Sequence, residues 1–133
     1  MEIWKEVYKG IIPEDVYKTW ITNSEERGLD IELRGNTYHV IIKFGHVSAI
    51  RILDEGIVQE GIYSDEEISK YKNDNFMNYI YELKDGKFGK ELEKASAGFL
   101  DAEDIRHYVI ITDNYNIDIV TEWEPDLKVN NIQ

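Results

Sequence analysis

The sequence predicts an α+β fold: about six strands in one mostly antiparallel sheet, with an N-terminal helix and one or two short helices. Three observations support this fold class. Apolar and polar residues alternate between residues 29 and 44. Turn-forming pairs recur at Gly35-Asn36, Gly45-His46 and Asp85-Gly86. The length of 133 residues, with 42% hydrophobic and 32% charged residues, fits a single globular domain over residues 1–133.

The N-terminal helix is predicted over residues 13–27. Pro13 suits a first helical turn, and Glu14 and Asp15 favour the positive end of the helix dipole. Gly28 is placed to end the helix. The apolar stripe of this helix comprises Val16, Tyr17, Trp20 and Ile21. Residues 1–8 are ambiguous, because their apolar spacing fits a helix while their short length also allows a strand.

Residues 29–53 predict a three-stranded antiparallel meander. Leu29, Ile31 and Leu33 alternate with polar residues, as in a half-exposed strand. Residues 37–44 are rich in β-branched and aromatic side chains. The tight turns are expected at Gly35-Asn36 and Gly45-His46, since glycine and asparagine tolerate positive φ.

The second half of the chain predicts further short elements. Residues 56–63 are expected to add a short strand. Ser64 and Glu67 form a capping-box pattern that predicts a short helix to about Lys72. The remaining expected elements are strands at residues 76–83, 107–112 and 117–123 and a short helix at residues 89–97.

Negative charge is the strongest compositional signal. The formal net charge is −12, which repels nucleic acids and anionic membranes. Residues 54–67 carry −6 and residues 101–126 carry −7, so the rest of the chain sums to +1. Two interpretations stay open: the acids serve solubility alone, or they form a surface for a basic partner.

No pattern in the chain indicates catalysis, a metal or a cofactor, so none of these is predicted. The absence of cysteine excludes thiolate metal sites and a cysteine nucleophile. His39, His46 and His107 lack the spacing of metal ligands on one element, and surface or structural roles are expected for them. A meeting of two histidines across the sheet stays open.

The N-terminal residues and the apolar runs bear on location. Residues 1–6 (MEIWKE) have neither a basic stretch nor an apolar core, unlike a signal peptide. The longest apolar runs are a few residues, well short of a membrane span. A cytoplasmic location is therefore expected.

The first acidic segment lies beside a group of tyrosines. Tyrosine is enriched at binding hot spots, and tyrosines ringed by carboxylates can receive lysine and arginine side chains. Core packing is the favoured interpretation of these tyrosines, and a partner-binding patch is the alternative. The predicted partner-binding residues are Asp54, Glu55, Glu60, Tyr63, Asp65, Glu66, Glu67 and Tyr71, with help from the acids of residues 101–126.

The C-terminal third carries a family resemblance. Residues 107–112 (HYVIIT), residues 116–120 (NIDIV) and Glu124-Pro125 form a strand–loop–strand pattern with an acidic end. In this and in its acidity the chain resembles the small immunity proteins encoded beside bacterial secreted toxins. The resemblance implies a non-enzymatic inhibitor that binds a cognate toxin at or beside its active site. Many such toxins are nucleases with a basic surface, which an acidic inhibitor would cover.

Two functions therefore compete. The first is an acidic binding protein that neutralises a basic partner, such as a toxin domain. The alternative is a small enzyme or ligand-binding domain with a pocket of histidine, tyrosine and carboxylate groups, because pockets are assembled from residues distant in sequence. A self-associating protein without a small ligand is a third hypothesis.

Overall fold

The computed structural model describes residues 1–57, 61–72, 76–96 and 105–133, and within them the chain forms strands, two helices and one 3₁₀ turn. The strands are β1 (Ile3–Glu6), β2 (Lys18–Ser24), β3 (Gly28–Arg34), β4 (Tyr38–Gly45), β5 (Ala49–Asp54), β6 (Ile80–Lys84), β7 (Arg106–Ile111), β8 (Tyr115–Thr121) and β9 (Asp126–Asn131). The helices are α1 (Asp65–Lys72) and α2 (Lys87–Ala95), and the 3₁₀ turn is Glu55–Ile57.

The described strands form two antiparallel sheets rather than the single sheet that was expected. The five-stranded sheet has the order β1-β6-β7-β8-β5, and the four-stranded sheet has the order β2-β3-β4-β9. Each pairing between these strands is antiparallel. The mostly antiparallel character of the prediction is therefore confirmed, whereas the number of strands and sheets was wrong.

The main hydrophobic core lies between the two sheets. Alternate side chains of β3 and β4 meet alternate side chains of β7 and β8, because one face of each sheet is turned towards the other. The core residues of these four strands are Leu29, Ile31, Leu33, Val40, Ile42, Phe44, Tyr108, Ile110, Ile117 and Ile119.

A second cluster covers the opposite face of the five-stranded sheet. Val109 and Ile111 of β7 point away from the main core and pack with Trp4 and Tyr81. The helix α1 lies against this cluster through its apolar side chains. Residues 107–111 are buried without a break because the five-stranded sheet is covered on both faces.

The predicted N-terminal helix over residues 13–27 is wrong. The structure has an irregular connection followed by the edge strand β2, which pairs with β3. Asp15 does not begin a helix, because its Oδ2 accepts hydrogen bonds from the amides of Thr37 at 2.8 Å and Tyr38 at 3.0 Å. These contacts across more than twenty residues outweigh the local helix signals.

Gly28, which was expected to end that helix, has a different role. Its φ is +76°, and a Cβ atom at this position would overlap the backbone of Gly45. The residue therefore lets β3 and β4 approach closely beside the register shift between Leu29 and Asp30.

The meander prediction is right for two strands and wrong for the third. The hairpin of β3 and β4 forms with its turn at Gly35-Asn36, where the amide of Gly35 donates to the carbonyl of Tyr38 at 2.8 Å. After Gly45 the chain leaves this sheet, and β5 pairs with β8 in the other one. The place beside β4 is taken by β9, a strand that the sequence analysis did not predict.

The other expected elements are largely present with shifted bounds. The ambiguous residues 1–8 contain the strand β1, and the strand expected from residue 76 begins at Ile80. The strands expected at 107–112 and 117–123 are β7 and β8, and the helix expected at 89–97 is α2. Within residues 56–63, the described part contains no strand, and residues 58–60 lie outside the described residues.

Ser64 caps α1 as predicted, although its own amide has a different partner from the expected one. The amide of Glu67 donates to Ser64 Oγ at 3.4 Å, whereas the amide of Ser64 donates to Glu2 rather than to Glu67. Glu2 Oε1 also accepts from the amide of Lys87, the first residue of α2, at 3.2 Å. The carboxylate of Glu2 thus binds backbone amides at the starts of both helices.

Replacing Ser64 by alanine tests this cap. We expect Ser64→Ala to lower the free energy of unfolding by about 1 kcal/mol, since the Glu67 amide loses its acceptor. Urea unfolding measures the change, with Ser69→Ala, an exposed serine later in α1, as the control. Equal stability of Ser64→Ala and the unchanged protein would contradict the cap.

Candidate functional site

The largest of the described cavities is a groove of about 840 Å³, called the acidic groove below. It lies where the connection before β2, the end of α1, the segment before β6 and the turn between β7 and β8 come together. Its lining residues are Glu14, Asp15, Val16, Glu55, Ile68, Lys72, Phe76, Met77, Tyr79, Ile111, Thr112, Asp113 and Asn116. Segments distant in sequence therefore build this groove.

The acidic groove combines apolar surface with carboxylates. Val16 is 67% exposed and Met77 is 68% exposed, which is unusual for apolar side chains that line one cavity. The lining also contains one cation, Lys72, among the described residues. Its exposed acids are Glu14, Glu55 and Asp113. Such a groove suits a ligand with an apolar part and a positive charge.

Asp15 fixes the wall of the acidic groove and also contributes a negative charge to it. Its carboxylate accepts hydrogen bonds from the amides of Thr37, Tyr38 and Val16. The amide of Thr37 is the main cause that holds the pKa of Asp15 below its usual range. Because these amides occupy its oxygens, the side chain anchors the connection before β2 to the turn between β3 and β4.

Tyr79 forms part of the floor of the acidic groove. Its ring meets that of Tyr17 edge-on, with 5.6 Å between the ring centroids. Burial raises the pKa of Tyr79, so its hydroxyl stays protonated at neutral pH. The floor is therefore a fixed aromatic surface, against which the aliphatic part of a lysine or arginine can pack.

The predicted partner-binding acids are spread over several positions. Asp54, Glu55, Asp65 and Glu66 are exposed, and of these Glu55 lines the acidic groove. Asp65 and Glu66 lie in the first turn of α1. Glu60 lies outside the described residues.

Tyr63, Glu67 and Tyr71 have internal partners. Tyr63 is 2% exposed and meets Trp4 edge-on at 5.3 Å. Glu67 is buried, where it accepts from the Trp4 amide at 2.9 Å and pairs with Lys70. The Tyr71 hydroxyl donates to the Trp4 carbonyl at 3.1 Å. The structure shows the core packing that was the favoured interpretation of these tyrosines, and a role in partner binding stays a prediction.

The acids of residues 101–126 are also divided. Asp113 lines the acidic groove, while Glu122, Glu124 and Asp126 are exposed near the start of β9. Asp118 is fully buried. Residues 101, 103 and 104 lie outside the described residues. Among the acids of the two acidic segments that the structure describes, Glu55 of the first segment and Asp113 of the second are the ones that line the groove.

A buried polar cluster, which the sequence analysis did not identify, surrounds Asp118. Asp118 Oδ1 lies 2.7 Å from His107 Nε2, while Oδ2 accepts from Tyr63 at 2.8 Å and from Arg51 Nε at 2.9 Å. These four residues are called the Asp118 cluster below. The alternation of residues 116–120 was the available signal, since it sets Asp118 on the face opposite its two isoleucine neighbours.

Electrostatic interactions within the Asp118 cluster stabilise the positive charge of Arg51. Burial by itself would lower the pKa of Arg51, but the negative charge of Asp118 raises it. Burial, followed by the charge of Asp118, raises the pKa of Tyr63, so its hydroxyl remains a donor. Phe88 of α2 covers the cluster, with 4.5 Å between its ring centroid and Arg51 Cζ. The cluster therefore ties α2 to the five-stranded sheet.

The three histidines lie apart from one another. His39 pairs with Glu32 at 2.6 Å on the four-stranded sheet, His46 is exposed after β4, and His107 lies on the five-stranded sheet. No group of three or more potential metal ligands occurs among the described residues.

Comparison of the chain with protein-family models, curated proteins and solved structures finds no match. None of the helices in the described ranges is both long enough and apolar enough to cross a membrane. The functional proposals below therefore rest on the geometry and charge of this chain.

Proposed function

We propose that this protein is a non-enzymatic binding protein that holds a basic protein partner at the acidic groove. The observation that carries the proposal is the groove itself, which joins exposed apolar side chains to three exposed carboxylates. A lysine or arginine of the partner would pack its aliphatic part on Val16 and Met77. Its charged end would then reach Glu14 or Asp113.

The charge of the whole chain supports the same partner chemistry. A net charge of −12 attracts a basic protein over distances comparable to the Debye length, about 8 Å at physiological ionic strength. Complementary charge mainly accelerates encounter. The apolar contacts of the groove are then expected to control dissociation.

The resemblance to immunity proteins supports a specific form of this function. In that form, the partner is a toxin domain with a basic nucleic-acid-binding surface, and the acidic groove covers that surface. The protein would act by occupying the site of the toxin's substrate. A cytoplasmic location is part of this proposal, since a cell protects itself where its own nucleic acids lie.

Capture followed by a growth assay tests the proposed function. The tagged protein is used to capture its partner from the native host, and the identified partner is expressed alone and together with this chain. We expect a basic partner whose expression arrests growth and whose toxicity is relieved by co-expression. An acidic partner, or a basic one whose toxicity this chain does not relieve, would contradict the proposal.

A small enzyme or ligand-binding domain is the second candidate, and the Asp118 cluster favours it. His107 and Tyr63 are both hydrogen-bonded to the buried Asp118, and of these three residues His107 lines a described cavity of about 420 Å³. Native mass spectrometry of the protein from its host tests this candidate. A stoichiometric small molecule would support it, and protein that relieves toxicity without any bound small molecule would count against it.

A further inference from the structure

We infer that β2 pairs with the β2 strand of a second copy of this chain, so that two four-stranded sheets join across a two-fold axis. β2 lies at the edge of its sheet and is hydrogen-bonded to β3 on one side. In the described part of the chain, no backbone hydrogen bond reaches the other side of residues 19–23. Every second residue of this edge therefore has an amide and a carbonyl available to another strand. β2 contributes no residue to the described lining of the acidic groove.

The edge of β2 lacks the charged side chains that usually protect an edge strand. After Lys18, its six residues TWITNS are all uncharged, and they include the strand formers threonine, tryptophan and isoleucine. The other edges of the two described sheets are β1, β5 and β9, and each of them contains at least two charged residues. Those residues are Lys5, Glu6, Arg51, Asp54, Asp126 and Lys128. β2 is thus the described edge best suited to pair with another strand.

The geometry of β2 is equally unprotected. It pairs with β3 over seven consecutive residues without a register shift, so no bulge turns this edge away from a second strand. It also contains no proline, which would remove a backbone donor. The outward backbone groups of β2 therefore lie along one regular row.

The distribution of charge along β2 favours a second copy as the occupant. Lys18 lies at the start of the strand and Glu25 directly follows its end, and both side chains are exposed. In an antiparallel pair centred on the middle residue, Ile21, the start of each strand lies beside the end of the other. Lys18 of each copy would then lie near Glu25 of the other copy, which gives two symmetric ion pairs. An isologous interface requires such self-complementarity.

Trp20 supplies the apolar contact of the same arrangement. It lies on the outer face of the four-stranded sheet, where its side chain is 41% exposed and Arg34 stacks on the ring at 3.9 Å. In the pair centred on Ile21, the two Trp20 residues are diagonal neighbours across the axis, a spacing within reach of aromatic side chains. Pairing would therefore cover part of the exposed ring.

The net charge of −12 opposes self-association, but little of it lies at this edge. The hairpin of β2 and β3, residues 18–34, contains three cations and four acids and so carries only −1. Two copies can therefore bring their β2 edges together without bringing the acidic segments of the chain into contact.

Sedimentation equilibrium of the intact protein tests the pairing. We expect a monomer–dimer equilibrium without larger species, because a two-fold pairing uses the β2 edge of both copies. Lys18→Glu is expected to weaken the dimer about tenfold, since it turns two exposed ion pairs into two repulsions. Lys18→Glu combined with Glu25→Lys restores opposite charges and should restore the dimer.

Lys128→Glu provides the matched control. Lys128 is an exposed lysine of β9, the other edge strand of the same sheet, so the charge change is the same and the dimer should persist. Hydrogen exchange locates the contact, since the amides of residues 19–23 should exchange more slowly as the protein concentration rises. The inference is overturned if the protein stays monomeric, if Lys18→Glu and Lys128→Glu act alike, if the double variant stays weak, or if the added protection lies outside β2. The substituted side chains are exposed, so the variants keep the core intact.

Discussion

Asp118→Asn is expected to destabilise the protein by about 3–5 kcal/mol, the usual cost of removing one partner from a buried ion pair. Asp118 is fully buried and receives Arg51, Tyr63 and His107. Asparagine has the same size but lacks the charge that balances Arg51. Its side-chain NH₂ group would also face the hydrogen-bond donors of its neighbours, with which it cannot pair. Urea unfolding monitored by circular dichroism measures the loss.

Glu32→Gln is the matched control for this prediction. Glu32 also bridges an arginine and a histidine, since it contacts Arg34 at 3.2 Å and His39 at 2.6 Å. Its side chain is 27% exposed rather than buried, so we expect a loss of about 0–1 kcal/mol. Similar losses for the two variants would contradict the structural importance of the Asp118 cluster.

The second large effect is expected on partner association. Neutralising the acidic groove with Glu14→Gln, Glu55→Gln and Asp113→Asn together should reduce the association rate about tenfold at low salt, the lower end of electrostatic steering. Dissociation should change less, because the apolar side chains Val16 and Met77 that line the groove remain. Surface plasmon resonance with the captured partner at two salt concentrations measures both rates.

A remote triple variant controls for the change in net charge. Glu25, Glu26 and Glu91 are exposed and do not line the acidic groove. Their combined replacement by glutamine alters the net charge equally, so we expect a much smaller effect on association. Equal effects of the two triples would show that total charge, rather than the groove, attracts the partner.

Local patterns predicted the strands of the chain better than their assembly. The turn at Gly35-Asn36 and the alternation around it predicted the β3–β4 hairpin correctly. The placement of β5 in the other sheet could not be predicted, because no local signal distinguishes a third meander strand from a strand that changes sheet. The helix expected at residues 13–27 failed because Asp15 binds amides more than twenty residues away.

The candidate site was less predictable than the fold. Charge density along the chain singled out the segments of Glu55 and Asp113, but only the fold brings these acids to one groove with exposed apolar side chains. Proximity to the first acidic segment also suggested Tyr63 and Glu67 as partner-binding residues, with core packing as the favoured role of Tyr63, and both are buried against Trp4. Long-range packing determines whether such residues are buried, and a count of charges along the sequence carries no information about that packing.

Amide mapping of the complex tests the central claim most directly. The ¹⁵N-labelled protein is titrated with the unlabelled captured partner, and amide shifts are placed on the structure. We predict that the changes centre on Val16, Met77 and Asp113 in the acidic groove. Changes centred on Trp20 and His39 of the four-stranded sheet, with the groove signals unmoved, would contradict the claim that the groove holds the partner.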